Sequence, residues 1–353
     1  MNMIDKPRQV REGEELDLPA VEAFLKQNIP GLTGTLEAGQ FQSGYSNLTY
    51  LLKMGDREFV LRRPPHGTKA ATAHDMSREY TIQKLLKPVF PYCPEVFAYC
   101  DDPGVIGGPF YVMERVRGII LRKDLPEGMT LSPEQARMLC EKLLDVHVAL
   151  HTIDYAAAGL ADFGKPEGYV RRQVEGWSRR YRNALTPDAP DFEKNMNWLA
   201  ENMPLDSPHP AVIHNDYRFD NVVLDPDDPM KIIAVLDWEM ATIGDPLMDL
   251  GNSLAYWIQA DDPEEFHMMR LLPTNIPGAL TRDEMVQRYA EKTGRPIEKF
   301  DWYLAFGMFR LAVIAQQIYY RFYHGQTKNE KFRMLVFGVH LLDKATTALI
   351  EKA

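Results

Sequence analysis

The feature that most constrains the fold is a change of texture near residue 118. From about Leu36 to Val116, short β-prone runs alternate with turn residues. Phe41, residues 49–52 and residues 59–61 read as strands, with Met54, Gly55 and Asp56 as the hairpin turn between the last two. A helix is expected over residues 70–87, stopped by Pro88, followed by strands over 96–99 and 110–116. After Gly118 the periodicity becomes helical. Ser132, Pro133 and Gln135 form a helix start with N-cap, first-turn proline and capping-box partner. Leu139, Leu143, Val146, Leu150 and Ile153 then mark one apolar face. Further helices are expected over 170–181, 283–292, 300–323 and 331–352. Short apolar runs at 211–213, 221–224 and 232–236 interrupt them. The pattern predicts an α+β chain, with a sheet lobe over 1–117, a larger, mainly helical lobe over 118–353, and a cleft between the two.

Bulk properties exclude some classes of function. The chain has 353 residues and a formal net charge of -10, a poor match to nucleic acid or an anionic membrane surface. Three cysteines, Cys93, Cys100 and Cys140, provide neither a disulfide framework nor a zinc spacing. Residues 1–18 are charged throughout, and the apolar stretch 302–320 is broken by Arg310 and two glutamines. The expectation is a cytoplasmic protein of unspecified oligomeric state.

The chemistry concentrates in His214-Asn215-Asp216-Tyr217-Arg218-Phe219-Asp220-Asn221, with Asp237 sixteen residues further on. Phosphoryl transfer needs one carboxylate to orient the attacking hydroxyl and oxygen ligands for Mg²⁺ on the nucleotide phosphates. Mg²⁺ prefers hard oxygen donors and keeps several waters, so one carboxylate and one amide suffice. Asp216 sits on a loop between apolar runs, Asn221 opens the second run, and Asp237 ends the next. A hairpin would return Asp237 towards Asn221 and gather all three groups at one cleft edge. Asp and Asn are also ordinary loop residues, and their placement between strands is what distinguishes them here.

These segments resemble the aminoglycoside phosphotransferase and choline kinase superfamily, in the branch also found fused to acyl-CoA dehydrogenases. The matching stretches are 41–50 (FQSGYSNLTY), 60–65 (VLRRPP), 78–80 (REY), 111–114 (YVME), 214–221 (HNDYRFDN), 236–239 (LDWE), 244–250 (GDPLMDL) and 309–312 (FRLA). The resemblance implies a protein-kinase-like fold and an ATP- and Mg²⁺-dependent transfer of phosphate to a small-molecule hydroxyl. It implies Asp216 as catalytic base, Asn221 and Asp237 as metal ligands, and Met113-Glu114 as the hinge behind the adenine. Gly44, Ser46 and Asn47 fall in the turn that covers the phosphates. Arg62, rather than its neighbour Arg63, takes the place of the phosphate-spanning cation, with Glu79 as its helix partner. His214 is expected to steady the loop, and Asp245 and Asp249 match a motif that braces it.

The acceptor pocket is expected in the helical lobe, with Arg172, Gln173 and Trp177 in its wall and Arg218 inside the catalytic loop. Arg171 and Arg310 add positive charge nearby. That distribution favours an anionic or neutral hydroxylated acceptor, and the dehydrogenase-fused relatives point to a hydroxyacyl compound. A catalytically inactive nucleotide-binding module and an aminoglycoside kinase remain as alternative functions. The missing Phe-Gly after Asp237 argues against a protein kinase.

Overall fold

The computed structural model describes residues 3–41, 47–65 and 75–353. In chain order the elements are α1 (Leu18–Asn28), β1 (Leu36–Phe41), β2 (Leu48–Met54), β3 (Arg57–Arg63), α2 (Met76–Leu86), β4 (Val96–Cys100), α3 (Pro103–Ile106) and β5 (Phe110–Glu114). There follow α4 (Pro133–His151), α5 (Tyr169–Asn183), α6 (Glu193–Glu201), β6 (Ala211–Ile213), β7 (Val222–Leu224), β8 (Ile232–Val235) and β9 (Thr242–Gly244). The chain closes with α7 (Pro246–Ala255), α8 (Glu264–Met269), α9 (Arg282–Thr293), α10 (Phe300–Tyr323) and α11 (Leu335–Ile350).

Two compact units emerge. The first comprises Met1–Ile120, Ala158–Leu160 and Asn221–Ala241; the second comprises Leu121–Ala157, Ala161–Asp220 and Thr242–Ala353. The sequence pattern divided the chain once, at 117/118. The compact units differ because the β7–β8 hairpin packs with the N-terminal residues. Ile119 and Leu224 exchange backbone hydrogen bonds of 2.9 and 2.8 Å, and Val235 N donates to Tyr92 O at 2.8 Å. The approach is so close that a Cβ on Gly118 would lie 2.2 Å from Leu224 O, so the position admits only glycine.

In the first unit an antiparallel sheet runs in the order β1-β2-β3-β5-β4. Strand alternation sorts its side chains onto two faces. Tyr50, Leu52, Phe59, Leu61, Phe110 and Val112 pack with Val21 and Leu25 of α1. Val60, Tyr111 and Met113 pack with Met76 and Tyr80 of α2 on the other face. Each fully buried large side chain contributes roughly 1.5–3 kcal/mol. Asp75 caps α2 by accepting from Ser77 N and Arg78 N, which places the helix start at Met76. The expected start at residue 70 lies outside the described residues.

The second unit is built around α10. Trp302, Phe306, Phe309 and Val313 form a core with Val174, Trp177 and Tyr181 of α5 and Met248 of α7. Where α10 crosses α7, a Cβ on Gly307 would stand 2.3 Å from Gly251 O, so the two backbones touch. The capping box at the start of α4 forms as expected between Ser132 and Gln135. A two-stranded ladder pairs β6 with β9, Ala211 opposite Gly244. Among the described residues no helix is long and apolar enough to cross a membrane.

Candidate active site

In the first unit, alternation along β3 turns Arg62 towards α2 and leaves Arg63 on the opposite face. Arg62 Nη1 meets Glu79 Oε1 at 2.6 Å, and its Nη2 donates to Asp237 Oδ1 at 2.8 Å. The same nitrogen lies 3.8 Å from Glu239 Oε2, which accepts from Asn47 Nδ2 at 2.7 Å. Burial alone would lower the Arg62 pKa, but the carboxylates of Glu79 and Asp237 outweigh it and raise the guanidinium well above its ordinary value. Burial pushes Glu79 up to about 6 against the pull of Arg62. Arg63 is pushed down by burial, with Tyr50 acting the other way.

The β7–β8 hairpin brings Asn221 and Asp237 together. Val222 pairs with Val235, and Leu236 N donates to Asn221 O at 2.7 Å, so Asp237 follows one residue beyond the Asn221–Leu236 pair. Asp237 takes a left-handed backbone, φ 66°, which ends the strand and is uncommon outside glycine. Met113 is buried in β5, and Glu114 at its end accepts from Glu95 N at 3.1 Å. Of the three phosphate-turn residues, Gly44 and Ser46 lie outside the described residues, whereas Asn47 is buried and bound to Glu239.

In the second unit the loop after β6 carries Asp216. It hangs on Asp249 of α7. Asp249 Oδ2 accepts from His214 N at 2.8 Å, and Oδ1 accepts from Asn215 N at 2.6 Å. His147 and His151, one turn apart on α4, donate through Nε2 to the same Oδ2 at 3.0 and 3.1 Å. Tyr289 donates its hydroxyl to His151 Nδ1 at 2.8 Å. Burial pushes His147 down to about 4, so it is neutral at pH 7. Burial would raise Asp249, but the histidine hydrogen bonds hold it well below the usual carboxylate range. His147, His151 and Asp249 lie close enough together to ligate a metal. The four N–H donors already satisfy the carboxylate, and the arrangement is a hydrogen-bonded brace.

The loop backbone is fixed further. Asn215 is left-handed, φ 64°. Its carbonyl accepts from Arg310 Nη2 at 2.9 Å and its side chain from Asn252 Nδ2 at 3.2 Å. His214 Nδ1 accepts from Asp216 N at 3.2 Å, a backbone contact rather than proton transfer chemistry. Arg218 Nη2 lies 3.2 Å from Asp216 Oδ2, its Nε lies 2.9 Å from Asp220 Oδ1, and its Cζ stands 4.4 Å over the Tyr256 ring. The two acids of α7 divide their work: Asp249 holds the loop, while Asp245 caps its own helix through Leu247 N and Met248 N.

The other acceptor-wall residues are committed locally. Arg172 donates to the backbone carbonyls of Lys165 and Glu167. Gln173 Oε1 accepts from Trp177 Nε1 at 3.1 Å. Sequence reasoning did not single out His147, His151, Glu239 or Tyr256. The H-x-x-x-H spacing on one face of α4 and the acid two places after Asp237 were the available signals.

A model described as the phosphotransferase enzyme family matches residues 37–271. The chain belongs to that family. This phosphotransferase is 35% identical over 331 residues to mouse acyl-CoA dehydrogenase family member 10, covering 92% of the chain and 30% of that protein. It therefore spans under a third of that relative. Among solved structures, a Ralstonia eutropha JMP134 protein named as a candidate aminoglycoside phosphotransferase superposes with a TM-score of 0.81 at 32% identity, covering 96% of the phosphotransferase and 99% of that chain. Aminoglycoside phosphotransferase APH(4)-Ia, solved in a ternary complex with AMP-PNP and hygromycin B, shares the fold at TM-score 0.57 and 16% identity, over 94% and 98% of the two chains. The phosphotransferase thus has a kinase-like α+β fold.

Proposed function

We propose that the chain is an ATP- and Mg²⁺-dependent kinase that phosphorylates a hydroxyl of a small molecule, with a hydroxyacyl compound as the acceptor class. What supports the reading is the β7–β8 hairpin, whose backbone pairs Asn221 with Leu236, the neighbour of Asp237, and the Asp237 carboxylate, which accepts from Arg62. One amide oxygen and one carboxylate are the hard donors that Mg²⁺ takes from protein, so these residues fit the ion. Bound there, Mg²⁺ would neutralise charge on the nucleotide phosphates. AMP-PNP in the APH(4)-Ia complex supports a nucleotide as donor.

In this reading Asp216 orients the acceptor hydroxyl and takes its proton. The oxygen bonds to the γ-phosphorus, the bond to the β-bridging oxygen breaks, and the nucleoside diphosphate leaves. Arg62 braces the phosphates with a planar fork whose direction Glu79 fixes. The Asp249 brace keeps the Asp216 backbone in place, so little reorganisation accompanies transfer. Met113 and Glu114 back the adenine, and Asn47, whose amide donates to Glu239, adds to the nucleotide site.

The acyl-CoA dehydrogenase relatives support the hydroxyacyl class, and the arginines near the loop support an anionic or neutral acceptor over a polycation. The test is an ATP-consumption screen over hydroxy acids, hydroxyacyl-CoA thioesters, amino alcohols and aminoglycosides, with Asp216→Asn as the blank. Turnover above the blank with hydroxyacyl compounds is the expected result. Turnover confined to aminoglycosides would replace the acceptor class, and ATP binding without turnover on any compound would make the chain a nucleotide-binding module.

A further inference from the structure

The loop that carries Asp216 contains one arginine, Arg218, two residues further on. Its place inside the loop predicts a cation facing the acceptor. Its partners in the structure are the loop's own acids. Nη2 lies 3.2 Å from Asp216 Oδ2 and Nε lies 2.9 Å from Asp220 Oδ1, so one guanidinium spans two carboxylates. Its Cζ stands 4.4 Å over the ring of Tyr256, the residue that ends α7. The side chains of Arg218 and Asp216 are each 18% exposed, which sets the pair apart from a solvated surface contact.

The Asp249 brace acts on the backbone ahead of Asp216, through the amides of His214 and Asn215. The carboxylate beyond that backbone still turns about χ1 and a broad, soft χ2. The ion pair with Arg218 acts on that freedom. A long arginine restrains its partner only when it is itself held, and Asp220 and the Tyr256 ring hold this one before an acceptor arrives. Burial raises the Tyr256 pKa against the pull of Arg218, so the ring stays a neutral phenol. With both acids ionised, the two carboxylates and one guanidinium carry a net negative charge, a poor receptor for a further anion.

We infer that Arg218 is the positioning residue of Asp216, with Tyr256 as its platform, and that it serves the base instead of the acceptor. The inference rests on the kinase reading and deepens it by naming what aims the carboxylate. Within the second unit, the charged and titratable groups around Asp216 are Arg218, Asp220, His214, Tyr256 and Arg310, with Arg122 acting on Asp220. Arg218 is the cation in direct contact with the carboxylate. It favours the ionised form, so removing it raises the pH at which Asp216 takes up a proton.

Two measurements on the full chain test this. In the first, kcat and acceptor KM are measured with 3-hydroxybutyryl-CoA, or with the compound of highest turnover in the screen above. Arg218→Ala should lower kcat by about 100-fold, with acceptor KM and Mg²⁺-dependent AMP-PNP affinity within about 2-fold of the parent. The acid limb of its pH–kcat profile should move up by about 1 pH unit. Arg218→Lys keeps the charge but cannot span both acids, so its limb should stay at the parent position while kcat recovers only in part. An acceptor KM raised about 10-fold with kcat kept would return Arg218 to the acceptor pocket. A fall in kcat with no movement of the limb, equal in the Ala and Lys variants, would reduce Arg218 to a structural part; either result overturns the inference. In the second, the Asp216 carboxyl is titrated by ¹³C NMR in aspartate-labelled protein without nucleotide or acceptor, its signal assigned by its loss in Asp216→Asn. A pKa about 1 pH unit higher in Arg218→Ala supports the inference, and an unchanged pKa overturns it. If the parent phosphorylates no hydroxyl compound, the kinase reading fails, while the NMR titration still decides whether Arg218 governs Asp216.

Discussion

The two units solve opposite electrostatic problems. In the first, one buried cation, Arg62, is ringed by the carboxylates of Glu79, Asp237 and Glu239. In the second, one buried carboxylate, Asp249, is ringed by two backbone amides and two imidazoles. The first assembly consists of side chains with excess negative charge, which is what the proposed entry of a divalent cation at Asp237 requires. The second is anchored half to backbone and half to two buried imidazoles on one helix. In the proposed reading, the assembly that receives an ion is built from re-pairable side-chain charges, and the one that steadies the base is tied to the main chain of residues 214 and 215.

Removing the anion of the second unit should have the largest effect. Asp249→Ala leaves four buried N–H groups unsatisfied, each worth about 1–3 kcal/mol, so a loss of about 4 kcal/mol or more is expected by urea denaturation. A loss below about 1 kcal/mol would show that the loop is braced elsewhere. The first unit should respond more through function. Arg62→Lys supplies a point charge that cannot bridge Glu79 and Asp237 together, so the nucleotide KM should rise by about 10-fold, with a smaller fall in kcat. An unchanged KM would remove Arg62 from the phosphate site.

A packing control separates loop bracing from overall stability. Gly307→Ala forces a methyl to within 2.3 Å of Gly251 O and should cost about 1–3 kcal/mol by thermal melting, with no change in nucleotide KM. The smallest effect belongs to the other acid of α7. Burial pushes Asp245 up to about 6, above its unfolded value of 3.8, although Leu247 N and Met248 N act against it. A raised pKa means that the folded state holds a proton between those values, so the contribution to stability falls as pH rises through about 6. Asp245→Asn keeps the cap acceptor and removes that penalty. It should be the more stable protein above pH 6, by on the order of 1 kcal/mol, and the advantage should vanish below pH 4. A difference independent of pH would place the cause in the cap geometry instead.

Much of the first unit was legible because its signals are local. Alternation in β3 alone put Arg62 and Arg63 on opposite faces, and the apolar runs around residues 222 and 235 predicted the hairpin that returns Asp237 to Asn221. The ladder between Ile119 and Leu224 was not legible, because 105 residues separate the partners and neither carries a turn or pattern signal. That contact, together with Val235 on Tyr92 and Asp237 on Arg62, ties residues 221–241 to the first unit. The β6–β9 ladder, three pairs long, falls below any periodicity that could be read. In the site, Asp249 was recognised by its motif, but its histidine partners were hidden within an ordinary amphipathic helix. Arg172 looked available from composition and is tied to the turn before its own helix.

The most direct test is ATP-dependent phosphate transfer by Asp216→Asn and Asp237→Asn, assayed together with Mg²⁺-dependent AMP-PNP binding. The account predicts that Asp216→Asn loses transfer by at least about 1000-fold while binding Mg²⁺ and nucleotide like the parent, and that Asp237→Asn loses both. Transfer by Asp216→Asn at the parent rate, or Mg²⁺-dependent binding that survives in Asp237→Asn, would contradict it.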